Sequence, residues 1–212
     1  MKTRQIKLLK NRVFWAANLT GFLIFVSFSS VTVLMPFFLE EKMHLPPHQA
    51  GLLMTAIPFT ILIVAPISGK LSDKMGGNRL SFAGILMSLI CLVFMSGLIG
   101  KGLQPQMDPK WVALFLSGMG IAIGLFQSPN NNVIMGAVPP DKLGAASALL
   151  ATIRNLGIIT GTGLCTGLFS WRLNSGQDFI SSLHLTHAVS AFVTFLAIIV
   201  SFGKTKKGFH LR

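Results

Sequence analysis

Gly69-Lys70-Leu71-Ser72-Asp73-Lys74-Met75-Gly76-Gly77-Asn78-Arg79 is a short charged stretch set between two apolar runs, Ala50–Ser68 and Leu80–Ile99. Each run is close to the ~20 residues that carry a helix across ~30 Å of hydrocarbon. Two such runs joined by so tight a polar turn read as an antiparallel helix pair in a bilayer. Within the turn, glycine permits positive φ and close helix approach. Lys70, Lys74 and Arg79 hold it on the cytoplasmic side. Asp73 can accept from the free amides of a helix N-terminus.

The same pattern extends outward. Val13–Leu39 precedes the pair, and Trp111–Val138, Ala145–Ser170 and about Leu183–Phe202 follow it, giving six spans. Composition agrees: 11% of residues are charged, where a soluble domain carries about 25%. Apolar residues make up 51% and mean hydropathy is +0.66. No intervening segment is long enough for a soluble domain, so residues 1–212 read as one all-α membrane protein, a single bundle of six transmembrane helices. Met1–Arg12 is basic like a signal peptide's start, but the apolar run after it exceeds the 7–15 residues of a signal core and reads as a retained span.

The net charge of +12 is distributed as a membrane protein requires. Six spans place both termini on one side, with Lys2, Arg4, Lys7, Lys10, Arg12, Lys70, Lys74, Arg79, Lys142, Lys204, Lys206, Lys207 and Arg212. The other side carries only Lys42, Lys101, Lys110 and Arg172. The positive-inside rule then makes both termini cytoplasmic, in a plasma (cell inner) membrane whose lipid is a constant partner. No basic patch is interleaved with aromatics, which excludes nucleic acid as a partner. Cys91 and Cys165 fall inside spans, lack a CxxC partner, and read as small apolar residues. Pro36, Pro58, Pro66 and Pro129 interrupt spans and bend them.

Polar groups inside the spans mark the candidate site. Gln127-Ser128-Pro129-Asn130-Asn131-Asn132 is costly in lipid unless it faces protein or water. Gln127, Asn130, Asn131 and Ile134 recur at i, i+3, i+4 and i+7, so this polarity shares one helix face. It is either a substrate-cavity wall or interhelical hydrogen bonding. Arg154 lies ten residues beyond Gly144, about 15 Å into the span. There it costs about 2.5–3.5 kcal/mol on insertion scales. It is either bonded to carbonyls or part of the site; no Asp or Glu lies inside a predicted span. Gly157-x-x-x-Gly161, Gly163-x-x-x-Gly167 and Gly120-x-x-x-Gly124 are small-residue pairs read as helix packing. His44 and His48 flank Pro46 and Pro47 in a loop, and His184 and His187 are expected at the membrane boundary. No hydrolytic triad, phosphate loop or metal-ligand spacing appears, so neither an enzyme nor a metal or other cofactor is expected.

The spacing Gly69-x-Leu71-x-Asp73-Lys74-x-Gly76-x-x-Arg79 resembles the loop signature of the major facilitator superfamily, although Gly77-Asn78 departs from its more basic ending. Ser128-Pro129-Asn130-Asn131-Asn132, through Val138-Pro139-Pro140 to Gly144-Ala145-Ala146-Ser147 and Arg154-Asn155-Leu156-Gly157, is similar to the tenth and eleventh helices of the fourteen-span drug:proton antiporters. The resemblance covers essentially the whole chain and matches the C-terminal half of that branch. It implies two inverted three-helix repeats forming half a transporter. It also implies a conformational latch at Gly69, Leu71, Asp73, Lys74, Gly76 and Arg79, a substrate cavity at Gln127, Asn130, Asn131 and Arg154, and proton-coupled efflux of hydrophobic or amphipathic small molecules. Helices with the antiporters' Gly-Pro signature and their usual proton-titrating carboxylate are not matched. A working unit then needs a homodimer, a separately encoded N-terminal six-helix half, or a longer parent. The alternative is a non-transporting membrane partner or inactive truncated product, in keeping with the lack of intramembrane acids.

Overall fold

A computed structural model describes residues 11–99 and 101–205. Asn11 starts α1 (Arg12–Phe37), accepting through its side chain from the amides of Val13 at 3.0 Å and Phe14 at 3.4 Å. Its Nδ2 donates to the Ala137 carbonyl at 2.8 Å, so one residue caps α1 and clamps a distant part of the chain to it. Beyond Pro36 the helix runs on as a π-helical turn, Phe38–Lys42. Glu40 and Glu41, just past the span read as Val13–Leu39, belong to this turn.

The second span, α2 (Pro47–Met75), has two segments, Pro47–Met54 and Ala56–Met75, with Thr55 between them. Pro58 explains the break, because it has no N–H for the Met54 carbonyl and its ring crowds that oxygen. The Thr55 hydroxyl donates to Leu52 O at 2.6 Å. Next come α3 (Gly77–Met95) and α4 (Pro109–Gly136), whose cap Asp108 accepts from the Lys110 amide at 2.8 Å. A tight turn at Pro140–Lys142 leads into α5 (Leu143–Asn174), and α6 (Phe179–Thr205) closes the chain. Among the described residues, six helices are long and apolar enough to cross a membrane.

The stretch Gly69–Arg79 is shorter as a turn than the sequence suggests. Helix α2 continues to Met75 and α3 starts at Gly77, leaving Gly76 at φ +88 as the connection. Lys70, Asp73 and Lys74 therefore ride on the last turns of α2.

Packing defines two related halves of the bundle. Helix α1 lies along α5 and α6, α4 lies along α2 and α3, and α3 lies along α6. Exchanging α1 with α4, α2 with α5 and α3 with α6 reproduces the same contacts. Three crossings separate the members of each pair, so equivalent helices run in opposite directions: the repeats are inverted. Burial follows the same symmetry. Only 11% of the apolar window of α2 and 11% of that of α5 are buried, against 61% for α1 and 50% for α4. The central pair α1 and α4 is thus backed by α3 and α6 and flanked by two poorly covered helices.

The α1–α6 seam is built from small hydroxyl residues. Thr20, Ser27 and Ser30 on α1 and Thr186, Ser190 and Thr194 on α6 are all buried. Each donates to a carbonyl of its own helix, which satisfies the hydroxyl without a partner across the seam. Their small size lets the backbones approach.

Candidate solute cavity and inner turn

Glycines set the geometry of the cavity. A Cβ on Gly157 would meet Phe22 O at 2.8 Å and Phe25 Cβ at 3.1 Å, and one on Gly161 would collide with Val26 and Ser29. Helix α5 can therefore lie against α1 only because both positions lack a side chain. Arg154 is three residues before Gly157, on the same helix face, and this contact turns it toward α1 and α4. On α4, Gly120 packs against Ile57 and Thr60, and Gly124 against Val64 and Ala65, which seats α2 in the symmetry-related way. The pair Gly163 and Gly167 behaves differently: neither has an atom within 4 Å of its would-be Cβ, so neither meets a helix among the described residues.

Gln127, Asn130, Asn131 and Arg154 come together around one cavity between α1, α4 and α5. Phe25, Phe126 and Ile134 complete much of its apolar wall. Asn130 is 3% exposed, and its Nδ2 donates across the interface to Ala17 O at 3.2 Å. Gln127 and Asn131 are half-buried, as is Arg154. The free volume is about 20 Å³, room for about one water. A drug-sized ligand needs a pocket of ~300 Å³ or more. The cavity is therefore too small to enclose such a ligand. Arg154 is the charged residue in its lining, and no carboxylate lines it among the described residues.

Asn18 also lines this cavity, and sequence reasoning passed it over as part of an apolar span. It is 2% exposed, and its Nδ2 donates to Phe14 O at 2.9 Å. A lone amide amid apolar neighbours was the available signal.

The amide run on α4 spreads its side chains in three directions around Pro129. Asn130 faces α1, and Gln127 and Asn131 face the cavity. Asn132 Nδ2 donates to Ser72 Oγ at 3.0 Å, on the charged stretch that ends α2. Ser72 Oγ donates to Gly69 O at 2.7 Å, and Ser68 Oγ to Gly124 O at 2.7 Å. A Cβ on Gly69 would lie 2.9 Å from Ser128 Oγ, and one on Gly77 3.0 Å from Pro129 O. The fold thus joins the two motifs that stood out in the sequence: the inner turn rests on the back of the cavity helix.

Leu71 packs half-buried beneath that turn, whereas Asp73, Lys74, Gly76 and Arg79 are exposed. Asp73 does not cap α3. It sits in the last turn of α2, at the negative end of that helix, where a carboxylate is disfavoured by about 0.3–1 kcal/mol.

The histidines divide. His44 has φ +53 and is exposed, as is His48. His184 Nε2 donates to Leu103 O at 2.9 Å, pinning the loop between α3 and α4. His187 is wholly buried within the bundle, with Nδ1 2.9 Å from Leu183 O. The α6 hydroxyl stripe at Thr186 and Ser190 carries this neighbour inward with it.

A helical bundle of two inverted three-helix repeats, with polar side chains facing one another between its long apolar helices, defines a secondary-transporter fold. The family model for the Major Facilitator Superfamily matches residues 4–162, and the chain belongs to that family. It is 33% identical over 92% of its length to the riboflavin transporter RibZ of Clostridioides difficile (strain 630), covering 43% of that protein. It is 29% identical over 92% of its length to the uncharacterized transporter YebQ of Escherichia coli (strain K12), covering 40% of it. To the multidrug export protein EmrB of Escherichia coli (strain K12) it is 26% identical over 88% of its length, covering 35% of it. The chain spans less than half the length of these curated relatives.

Proposed function

We infer that this bundle is the C-terminal half of a major facilitator permease and that the complete transporter exports amphipathic small molecules. The observation that carries this reading is the convergence of Gln127, Asn130, Asn131 and Arg154 on one cavity wall between the central helices. A wall with space for about one water acquires solute-sized volume only when a second lobe faces it. The poorly covered α2 and α5 flank that opening and are suited to meet such a lobe. It comes from a second copy, a separate N-terminal half, or further helices of a longer protein. The C-terminal assignment and proton coupling rest on the resemblance to drug:proton antiporters. Since no carboxylate lines this wall, the proton-carrying acid belongs to the facing lobe.

Gly69, Leu71, Asp73, Lys74, Gly76 and Arg79 form the latch in this reading. An exposed carboxylate at the unfavourable end of α2 is explained if the facing lobe offers it a base or a helix N-terminus. The termini then lie in the cytoplasm, and the protein in the plasma membrane. A second reading of the solute, a riboflavin-like heterocycle, is favoured by the name of the relative at 33% identity and by the amide-rich lining.

Solute flux in vesicles, with this chain and its facing lobe reconstituted together, tests the reading. Wild-type protein is expected to move solute, and Arg154→Ala and Asp73→Asn to reduce flux at equal protein level. Unchanged flux in both variants refutes the assignment.

A further inference from the structure

A second cavity, of about 280 Å³, opens between α1, α5 and α6 at the end of the bundle opposite Gly69–Arg79. Leu34, Phe37 and Glu41 enter its lining from α1 and the π-helical turn that follows, at i, i+3 and i+7. Phe169 and Leu173 enter from α5 at i and i+4, so each helix turns one face into the groove. Phe179, the first residue of α6, meets Phe169 edge-on, with ring centroids 5.0 Å apart. Phe169 and Phe179 are each 8% exposed and make the floor, whereas Phe37 is 50% exposed and stands at the rim with Glu41.

Glu41 is the charged residue of this lining, and its carboxylate has no hydrogen bond or ion pair among the described residues. Aromatic faces attract cations through their quadrupole. Phe179 already receives one: Lys42 Nζ lies 4.9 Å from its ring centroid, outside the groove's lining. Three rings beside one unpaired carboxylate suit an alkylated ammonium, whose methyl groups pack on the rings and whose charge needs no hydrogen bond. The volume falls just short of the ~300 Å³ of a drug-sized site and so admits a small head group.

We propose that this groove binds quaternary ammonium heads, with Glu41 as counter-charge and Phe37, Phe169 and Phe179 as the aromatic surface. Lys42 is a built-in competitor that repels the ligand from Phe179. Free solutes and phosphatidylcholine share this head chemistry. The groove is formed by α1, α5 and α6 of this chain, so the proposal needs neither a facing lobe nor the transport reading.

The full chain in dodecyl maltoside, which carries no ammonium group, is titrated with choline and with 3,3-dimethylbutan-1-ol. The two probes differ in one atom, a charged nitrogen against a neutral carbon, and saturation-transfer NMR reads their binding. Choline is expected to saturate and to bind at least about fivefold more tightly than the alcohol. Glu41→Gln should weaken choline about three- to fivefold, and Phe37→Leu about two- to fivefold. Lys42→Gln should tighten it, a gain that misfolding cannot produce. Equal binding of the two probes, no saturable choline binding, or no gain in Lys42→Gln overturns the proposal. A repeat in phosphatidylcholine nanodiscs separates the two sources. Choline excluded there but bound in maltoside assigns the groove to the lipid head, and choline bound in both assigns it to a free solute.

Discussion

Gly161→Ala and Gly163→Ala differ by half a helical turn and should have opposite effects. A Cβ at residue 161 would lie 2.7 Å from Ser29 Oγ and 2.7 Å from Val26 Cα. The Val26 carbonyl oxygen is nearer still, and ordinary contact begins near 3.4 Å, so α1 and α5 must part by roughly 1 Å, an overpacking that costs about 1–3 kcal/mol. A Cβ at residue 163 meets nothing within 4 Å. Both substitutions gain the same helix propensity, about 0.8–1.0 kcal/mol, which cancels between them. The difference in stability should therefore be about 1–3 kcal/mol, with Gly163→Ala the more stable. At about 2–4 °C per kcal/mol for a chain of this size, the melting points separate by about 2–12 °C. Cys91 and Cys165 are free and buried, so a thiol-reactive fluorescent dye reports unfolding without an added label. Equal melting points, or a lower one for Gly163→Ala, refute the α1–α5 contact and with it the placement of Arg154.

Other outcomes follow from single contacts. Asn132→Ala removes the bond to Ser72, worth about 0.5–1.5 kcal/mol, and hydrogen exchange of residues 69–79 should quicken while the rest of α4 is unaffected. Asn11→Ala removes a cap and a clamp at once and should lower stability by about 1–2 kcal/mol in the same thiol assay. Arg154→Leu relieves a charge that costs about 2.5–3.5 kcal/mol on insertion scales. Yield of folded protein should be equal or higher while flux falls; a fall in both would mark Arg154 as structural.

The span count was legible because hydrocarbon thickness dictates helix length, and six apolar runs of that length leave little freedom. The shared face of Gln127, Asn130 and Asn131 was legible from helical spacing, and Arg154 from its cost in lipid. Other features needed the fold. Hydropathy marks where a helix leaves hydrocarbon, not where it stops, so the charged turns of α2 through Met75 read as loop. Small-residue spacing says that a close approach is possible without saying which face is approached. Gly157 and Gly161 meet α1, and Gly163 and Gly167, on another side of α5, meet none of the described helices. Asn18 and His187 were obscured for a related reason: a single polar residue has no periodicity, and only the packed neighbours reveal which way it turns.

In the proposed transporter the α1–α4–α5 wall borders an aqueous solute path. It is tested most directly by cysteine accessibility in a background with Cys91→Ala and Cys165→Ala. Asn131→Cys should react in intact vesicles with a membrane-impermeant thiol reagent and be protected by bound solute. Phe82→Cys, on the back of the bundle where its ring lies 5.3 Å from that of Phe202, should stay unlabelled. Labelling at position 82 with none at position 131 would rule out an aqueous path along this wall.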